Sequence, residues 1–341
     1  MKPITQKEIA KRAGVSQTAA SMVLSGRKNA AISEGTKRKI LSIAQKSGYR
    51  LRFVRKEQTR TNTIAYLLDA RSFESEVTEA YYQRFIGSLA DTLDGKGYAL
   101  AVATHADAAK ALRTVSERGY DAVITGRDLP EKSIAAMECP VIFLNRPSPD
   151  AQLYSSVMPD NKGGIAAAVK RLHEMGHRAI AFFGMTPLNA HSKERLAGYT
   201  NACSSLGLSA HTGYIVTPPR RDGTYEEVSS YAKDAVASWH ASAIPPTAVV
   251  TMGDVYALLL LSHARAMGMR VPEDLSIVGF DNTIACLSSA PQLASIEQDI
   301  ETMATSAAFM AEELIAGRPP RTVVIPTALM ERGSIGPHAS K

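Results

Sequence analysis

The stretch IAKRAGVSQTAASMVLSG, residues 9–26, predicts two short helices joined by a tight turn. Thr5 and Glu8 have the spacing of a capping box, so we expect the first helix to begin after Thr5. Gly14 can adopt the left-handed conformation that ends a helix, and Ser16 is a favourable N-cap for the next one. Two helices connected in this way are typical of a helix-turn-helix unit.

A third helix completes this N-terminal head. The second helix is predicted to run to about Leu24, and the third to follow Ser33 and end near Gly48. In a helix-turn-helix module the exposed N-terminal part of the second helix enters the DNA major groove. The residues that we predict to contact DNA in the head are Thr5, Ser16, Gln17, Thr18, Ser21 and Met22.

Charge separates the head from the rest of the chain. The first 60 residues contain 15 Lys and Arg against 3 Asp and Glu, whereas the remaining residues contain 24 basic and 30 acidic side chains. A basic head on a mildly acidic body is typical of a polyanion-binding module attached to another domain. We therefore predict double-stranded DNA as a partner, with a three-helix packing unit that binds no ligand as the alternative.

The composition argues against several classes of protein. The longest apolar runs are too short to span a bilayer, and the N-terminal residues lack the apolar segment of a secretory signal. Three widely spaced cysteines fit neither a disulfide framework nor a zinc site. We expect a cytoplasmic protein without membrane contact, cofactor or metal. Phosphate-binding glycine loops and nucleophile elbows are missing, so the sequence predicts no enzymatic activity.

The body alternates apolar runs with amphipathic stretches from Thr63 onward. TIAYLLDA, YALAVATHA, YDAVITG and VIFLN are predicted buried strands, and the alternation restarts near GGIAAAVKRLHEM. Repeated βα units imply parallel sheets covered by helices on both faces. The units are too numerous for one compact sheet, so we predict two α/β lobes. Ligands bind such folds at the carboxyl ends of the strands, here in the cleft between the lobes.

Nearly the whole sequence resembles the LacI/GalR family of transcriptional regulators. The resemblance is carried by ITQKEIAKRAGVSQTAASMVLSG in the head and by MPDNKGG, LHEMGHRAIAFFG, RLAGY, VPEDLSIVGFDN and IPTALMERGS in the body. It implies an all-α helix-turn-helix domain and an α/β, periplasmic-binding-protein-like body with parallel sheets in two lobes, crossed three times by the chain. The implied function is that of a homodimeric repressor that reads a palindromic operator and responds to a small effector, a sugar.

The predicted domains follow from these patterns. We predict a helix-turn-helix domain at 1–48, a linker at 49–61, and an effector-binding and dimerisation domain at 62–341. Within that domain, lobe 1 is predicted to comprise about 62–159 and 294–322, and lobe 2 about 160–293 and 323–341.

The resemblance also points to an effector site, made of Asp69, Asn145, Arg195, Gly253 and Asp281. A carboxylate accepts hydrogen bonds from vicinal hydroxyls and a guanidinium donates a planar fork, so Asp and Arg across a cleft suit a polyol. Family members commonly have Asn-Asp where this chain has Gly253-Asp254, so an amide that usually contacts the effector is missing. We expect Asp254 to cap the following helix.

Two departures from the family pattern concern DNA binding. The family linker reads Gly-Tyr-x-Pro-Asn-x-x-Ala-Arg-x-Leu, whereas this chain reads GYRLRFVRKEQ over 48–58, with Gln58 in place of the Leu that enters the minor groove. Arg52, Arg55 and Lys56 supply predicted phosphate contacts. Met22 stands where an Arg often reads guanine, so we expect an operator that depends less on guanine at that step.

Two other functions stay open at this point. A solute-binding transport component shares the body fold, although the basic head and the missing signal segment disfavour it. HEMGH, residues 173–177, matches the zinc motif H-E-x-x-H, which requires both histidines on one helical face. We expect Gly176 to end the helix and His177 to lie beyond it, which disfavours a metalloenzyme.

Overall fold

The structure of the chain is a computed structural model. It describes residues 5–24, 32–46, 60–68, 76–104, 110, 114–115, 117–127, 129, 134, 137, 139–186, 190–208, 213–219 and 224–338.

In the described residues of the head there are three helices; the first two begin and end where the sequence predicts, and the third begins after Ser33 as predicted. They are α1 (Gln6–Ala13), α2 (Gln17–Leu24) and α3 (Glu34–Lys46). Thr5 Oγ1 accepts a hydrogen bond from the Glu8 amide at 3.3 Å, and Ser16 Oγ accepts one from the Ala19 amide at 3.1 Å. Both predicted N-caps are therefore confirmed. Gly14 has a φ of 74°, the left-handed conformation that ends α1.

The head has a small apolar core of its own. Its buried members are Ile9, Ala10, Ala13, Ala20, Leu24, Ile40 and Ala44. Small alanines at the crossings allow the three helices to approach closely, which a module of this size needs in order to exclude water.

Two six-stranded sheets form the body. The first has the order β11-β5-β4-β3-β1-β2, with β1 (Thr63–Leu68), β2 (Ala99–Thr104), β3 (Ala122–Thr125), β4 (Val141–Leu144), β5 (Ser155–Pro159) and β11 (Thr322–Ile325). The second has the order β12-β10-β9-β8-β6-β7, with β6 (Ile180–Phe183), β7 (Ile215–Val216), β8 (Ala248–Thr251), β9 (Ser276–Phe280), β10 (Ala294–Glu297) and β12 (Ala328–Met330). Neighbouring strands are parallel, except that β12 pairs antiparallel with β10. The predicted parallel two-sheet architecture is confirmed.

Helices pack against the two sheets. They are α4 (Glu76–Asp94), α5 (Asn161–Glu174), α6 (Ala190–Ser205), α7 (Tyr225–His240), α8 (Asp254–Ala266), α9 (Ala285–Ser288) and α10 (Ile300–Ile315). Among the described residues, helices pack on both faces of the second sheet, and α4 and α10 pack on one face of the first. Apolar side chains fill both faces of each sheet, as the βα alternation predicts. In the part of the chain that the structure describes, no helix is long and apolar enough to cross a membrane.

The chain passes between the sheets three times, after β5, after β10 and after β11. We call the unit of the first sheet lobe 1 and that of the second sheet lobe 2; α10 packs in the core of lobe 1. The last two crossings come a few residues later than predicted, because Ala294–Glu297 pairs with β9 and Thr322–Ile325 pairs with β5. The predicted buried character of β2 is also wrong, since β2 is an edge strand with several exposed side chains.

Candidate functional site

Arg195 is held inside lobe 2 by bonds that occupy much of its guanidinium. Its Nε donates to Asn161 Oδ1 at 2.8 Å, and its Nη1 donates to the Met252 carbonyl at 2.5 Å. The guanidinium carbon lies 3.6 Å from the centroid of the Phe280 ring. Arg195 is only 3% exposed. The sequence predicts that this guanidinium donates hydrogen bonds to a ligand, but two of its three nitrogens already donate to protein atoms.

The RLAGY motif explains this placement. Gly198 lies in the same helix as Arg195, and a Cβ at Gly198 would lie 2.6 Å from the Lys162 carbonyl oxygen. Only glycine allows α6 to approach the first turn of α5 so closely. The close approach brings Arg195 to Asn161, the first residue of α5.

Asp281 directly follows β9 and has a backbone φ of 109°. Its Oδ1 lies 3.5 Å from Arg195 Nη1 and accepts a hydrogen bond from Gln298 Nε2. Burial raises the pKa of Asp281 to about 7; the charge of Arg195 opposes the rise, and Asp254 adds to it. The carboxyl group therefore changes its charge near neutral pH.

Asp254 does not cap α8, and the prediction that it would is wrong. Its carboxylate accepts hydrogen bonds from the Thr283 amide at 2.7 Å, the Thr283 hydroxyl at 2.9 Å and the Ser295 hydroxyl at 2.5 Å. The side chain is fully buried, and burial raises its pKa. Asp254 thus ties α8 to the segment that follows β9 and to β10 itself, instead of bonding to its own helix.

Gly253 leaves space beside the carboxylate of Asp281. A Cβ at this position would lie 3.2 Å from Asp281 Oδ2 and 3.5 Å from Tyr256 Cδ2. Its φ of −177° is extended backbone that any residue can adopt. The glycine therefore matters here for the room it leaves.

Three buried polar atoms near this cluster have no hydrogen-bond partner among the described residues: Tyr81 Oη, Asn145 Oδ1 and Gln298 Oε1. Tyr81 lies on α4 of lobe 1; burial raises its pKa, and the charges of Asp281 and Arg195 also act on it. Residues of lobe 1 thus lie close to the Arg195–Asp281 pair of lobe 2.

Asn145, at the end of β4, is joined to lobe 2 by His191 of α6. Burial lowers the pKa of His191 to about 3, the charge of Arg195 lowers it further, and a hydrogen bond to the Asn145 backbone opposes the shift. His191 is consequently neutral at physiological pH. This hydrogen bond crosses the cleft between the lobes.

Sequence reasoning missed three residues of this cluster. Gln298 comes directly after β10, so recognition of ASIE as a strand would have placed it at a carboxyl end. Tyr81 and His191 lie on helices, and no strand-end pattern marks them. Of the predicted effector residues, Asp69 lies outside the described residues, as do Arg52, Arg55 and Lys56 of the linker.

The predicted DNA-contacting residues of the head differ in exposure. Gln17 and Thr18 are exposed at the start of α2, whereas Ser21 and Met22 are half-buried. The Thr5 and Ser16 hydroxyls accept the capping hydrogen bonds of α1 and α2, and both residues are exposed.

The HEMGH motif ends a helix, as predicted. α5 ends at Glu174, and Gly176 has a φ of 97°. His177 is 1% exposed, with Nδ1 at 2.9 Å from Thr247 Oγ1 and Nε2 at 3.1 Å from the Gly336 carbonyl. Burial lowers its pKa to about 4. The described residues contain no group of three or more His, Cys, Asp and Glu placed to hold a metal ion.

Comparisons with known proteins agree on one family. The sequence profile "Bacterial regulatory proteins, lacI family" matches residues 5–50, and the profile "Periplasmic binding protein-like domain" matches residues 169–335. The HTH-type transcriptional regulator DegA of Bacillus subtilis is 27% identical over 345 residues, which cover 97% of each chain. The HTH-type transcriptional repressor PurR of Photobacterium profundum is 25% identical over 305 residues, or 86% of each chain.

A solved structure is similar over nearly the whole chain. The transcriptional regulator CelR in its cellobiose complex has a TM-score of 0.71 and 26% sequence identity, over 97% of this chain and 99% of that one. The two matching profiles cover the helix-turn-helix head and most of lobe 2, and the relatives match along both chains. The chain belongs to the LacI/GalR family of transcriptional regulators.

Proposed function

We propose that this protein is a sequence-specific DNA-binding repressor, active in the cytoplasm, whose affinity for its operator is controlled by a small effector bound between the two lobes. The observation that carries the proposal is the pair of buried Arg195 and half-buried Asp281 in lobe 2, whose charges act on Tyr81 of lobe 1. A ligand bound there contacts both lobes and so changes their relative position.

The hydrogen-bonding groups at the cleft support a polyhydroxylated effector, such as a sugar. Gln298 Oε1 and Asn145 Oδ1 are buried acceptors without a partner among the described residues, and Asp281 contributes a carboxylate. Acceptors of this kind require a ligand with several donors, which hydroxyl groups supply. CelR was solved with cellobiose, which supports the same class of ligand.

We assign distinct roles to the five proposed effector residues. Asp281, Asn145 and Asp69 accept hydrogen bonds from the ligand, and Gly253 leaves space for it. Arg195 orients Asp281, since its Nε and Nη1 already donate to protein atoms. The proposed role of Arg195 therefore depends more on positioning than on direct contact.

The head supports major-groove recognition of DNA. Gln17 suits adenine and Thr18 suits several bases, and both are exposed at the start of α2. We propose base contacts by Gln17, Thr18, Ser21 and Met22, and backbone contacts by Thr5, Ser16, Arg52, Arg55 and Lys56. Contacts to phosphates make binding strongly dependent on salt.

A homodimer that reads a palindrome is part of the proposal. Ile284, just before α9, is 69% exposed, and Leu287, within α9, is 47% exposed. Exposed apolar surface of this kind is favourable at a subunit interface. We propose residues 1–48 as the DNA-binding domain, 49–61 as the linker and 62–341 as the effector and dimerisation domain. Two heads on one dimer match two half-sites.

The effector proposal is tested by thermal unfolding in the presence of neutral sugars, including cellobiose. A sugar at 100 times its Kd should stabilise the wild type by about 2.7 kcal/mol. Asp281→Ala should abolish that stabilisation, whereas Asp94→Ala, at an exposed position on α4, should retain it. A sugar that stabilises Asp281→Ala as strongly as the wild type would show that the cleft assignment is wrong.

The DNA proposal is tested by selection from random duplexes with the full-length protein. We expect a palindromic site for the wild type, and loss of that site in Gln17→Ala/Thr18→Ala with folding unchanged. A solute-binding transport component would select no sequence. The lacI-family profile match over residues 5–50 favours the regulator over that alternative, and the hydrogen-bonded ring nitrogens of His177 disfavour a zinc enzyme.

A further inference from the structure

The last residues before β1 are fixed to lobe 1, although they are exposed. The Thr61 amide donates to Asp121 Oδ1 at 3.2 Å, and the Thr61 hydroxyl donates to the Gly119 carbonyl at 3.3 Å. The Ala99 amide donates to the Asn62 carbonyl at 2.7 Å. Residues 61 and 62 are thus attached to the first residue of β2 and to the segment that precedes β3.

Asp121 is a buried acid outside the effector cluster. It is 4% exposed and comes directly before β3. Its own amide donates to the Thr63 carbonyl at 2.9 Å, so Asp121 bonds to the incoming chain through both its backbone and its carboxylate. Burial of a carboxylate is unfavourable unless its hydrogen bonds compensate, and here one of those bonds goes to the exposed Thr61.

The hydrogen bonds of Asp121 with Thr61 and Thr63 lie at the opposite end of the sheet from the cleft. β1 and β3 are parallel neighbours, with Asp121 at their amino ends. At their carboxyl ends, Arg127 Nη1 donates to the Leu68 carbonyl at 3.3 Å. The two strands are therefore joined by side chains at both ends, and they connect the cleft edge of lobe 1 to the point where the linker arrives.

We propose that Asp121 is the attachment point of the linker and a specificity-determining residue for operator spacing. It sets where the chain leaves lobe 1 towards the head. In a dimer, two such points set the separation at which the two heads reach their half-sites. Loss of the attachment lets each linker leave from a less defined position, so spacing is read less strictly while each half-site is read as before. The inference rests on the proposed function, because it requires DNA binding by a dimer.

The test measures binding of the full-length protein to duplexes that carry its two selected half-sites with spacers of different length. A change of one base pair rotates one half-site by about a tenth of a turn, so the wild type should lose about tenfold or more in affinity. Asp121→Ala should reduce this penalty to about threefold or less, and Asp121→Asn, which keeps the Oδ1 acceptor, should preserve it.

Two further variants keep the test decisive. Thr61→Pro removes the donating amide without altering Asp121, so it should relax spacing even if Asp121→Ala does not fold. Asp94→Ala removes an exposed acidic group at the end of α4 and should keep the spacing penalty, which controls for the change of charge. Preserved spacing in a folded Asp121→Ala or Thr61→Pro variant would overturn the inference alone. Absence of any half-site preference in the wild type would overturn the proposed function, and the inference with it.

Discussion

Arg195 Nη1 lies 3.5 Å from Asp281 Oδ1, and the same nitrogen donates to the Met252 carbonyl at 2.5 Å. The pair joins a buried guanidinium to a half-buried carboxyl group, so it is a structural element as well as part of the candidate effector site. A substitution of either residue should therefore change the free energy of unfolding in the absence of any effector. A side chain that only contacts an effector would not have this effect.

Arg195→Ala should destabilise the protein by about 3 kcal/mol, because it leaves the Asn161 and Met252 acceptors and the Asp281 charge without their buried partner. Urea unfolding measures the change. Arg171→Ala is the matched control, since the Arg171 side chain is 40% exposed and pairs with Glu331 at 2.8 Å. Its unfolding midpoint should stay close to that of the wild type. Equal midpoints for the two variants would contradict a buried role for Arg195.

The pKa of Asp281 predicts a pH dependence of stability. Its pKa is about 7 in the folded protein, above the unfolded value, so the folded chain binds more protons than the unfolded chain between about pH 4 and pH 7. The contribution of Asp281 to stability is therefore greatest at low pH and decreases as pH rises through 7. Asp281→Asn removes this dependence.

We expect the stability of Asp281→Asn relative to the wild type to increase from pH 5 to pH 8 by about 1 kcal/mol or more, since one pKa unit corresponds to about 1.4 kcal/mol. Urea unfolding at several pH values measures this difference. Asp94→Asn, at an exposed position, should follow the wild-type profile. Parallel profiles for Asp281→Asn and the wild type would rule out a raised pKa.

Gly198→Ala should destabilise the protein by about 1–3 kcal/mol, because the new Cβ would lie 2.6 Å from the Lys162 carbonyl and force α6 away from α5. Gly87→Ala is the matched control within α4, where a Cβ meets no atom within 4 Å. There alanine should stabilise the helix by up to about 1 kcal/mol. The two substitutions should therefore shift the thermal midpoint in opposite directions, and shifts of the same sign would contradict the close helix crossing.

Met22→Arg should add a guanine preference at one symmetric position of the operator. Arginine donates two hydrogen bonds to guanine O6 and N7, worth about 1–3 kcal/mol of discrimination, whereas methionine has no strong donor. Selection on randomised half-sites, with wild type and variant in parallel, measures the preference. A variant with an unchanged base preference would mean that residue 22 does not face the groove.

Local signals in the sequence were sufficient for the elements of the fold. Thr5, Gly14 and Ser16 act through their own backbone and nearest neighbours, so their capping roles were predictable from spacing. The βα alternation predicted two parallel sheets for a similar reason, since each buried strand is a short apolar run. The antiparallel strand β12 and the edge position of β2 were not predictable, because they depend on which strands lie beside them.

The sequence alone thus determined the helix-turn-helix head, the two α/β lobes and the residue types of the candidate site. Tertiary structure decided what those residues do. Arg195 bonds within lobe 2, Asp281 is paired with Gln298 from beyond the next strand, and Asp121 holds Thr61 across 60 residues of chain. Burial and hydrogen-bond partners determine the charge of each side chain and which of its donors remain available to a ligand. Burial and partners in turn depend on segments that are far apart in sequence and meet only in the folded protein.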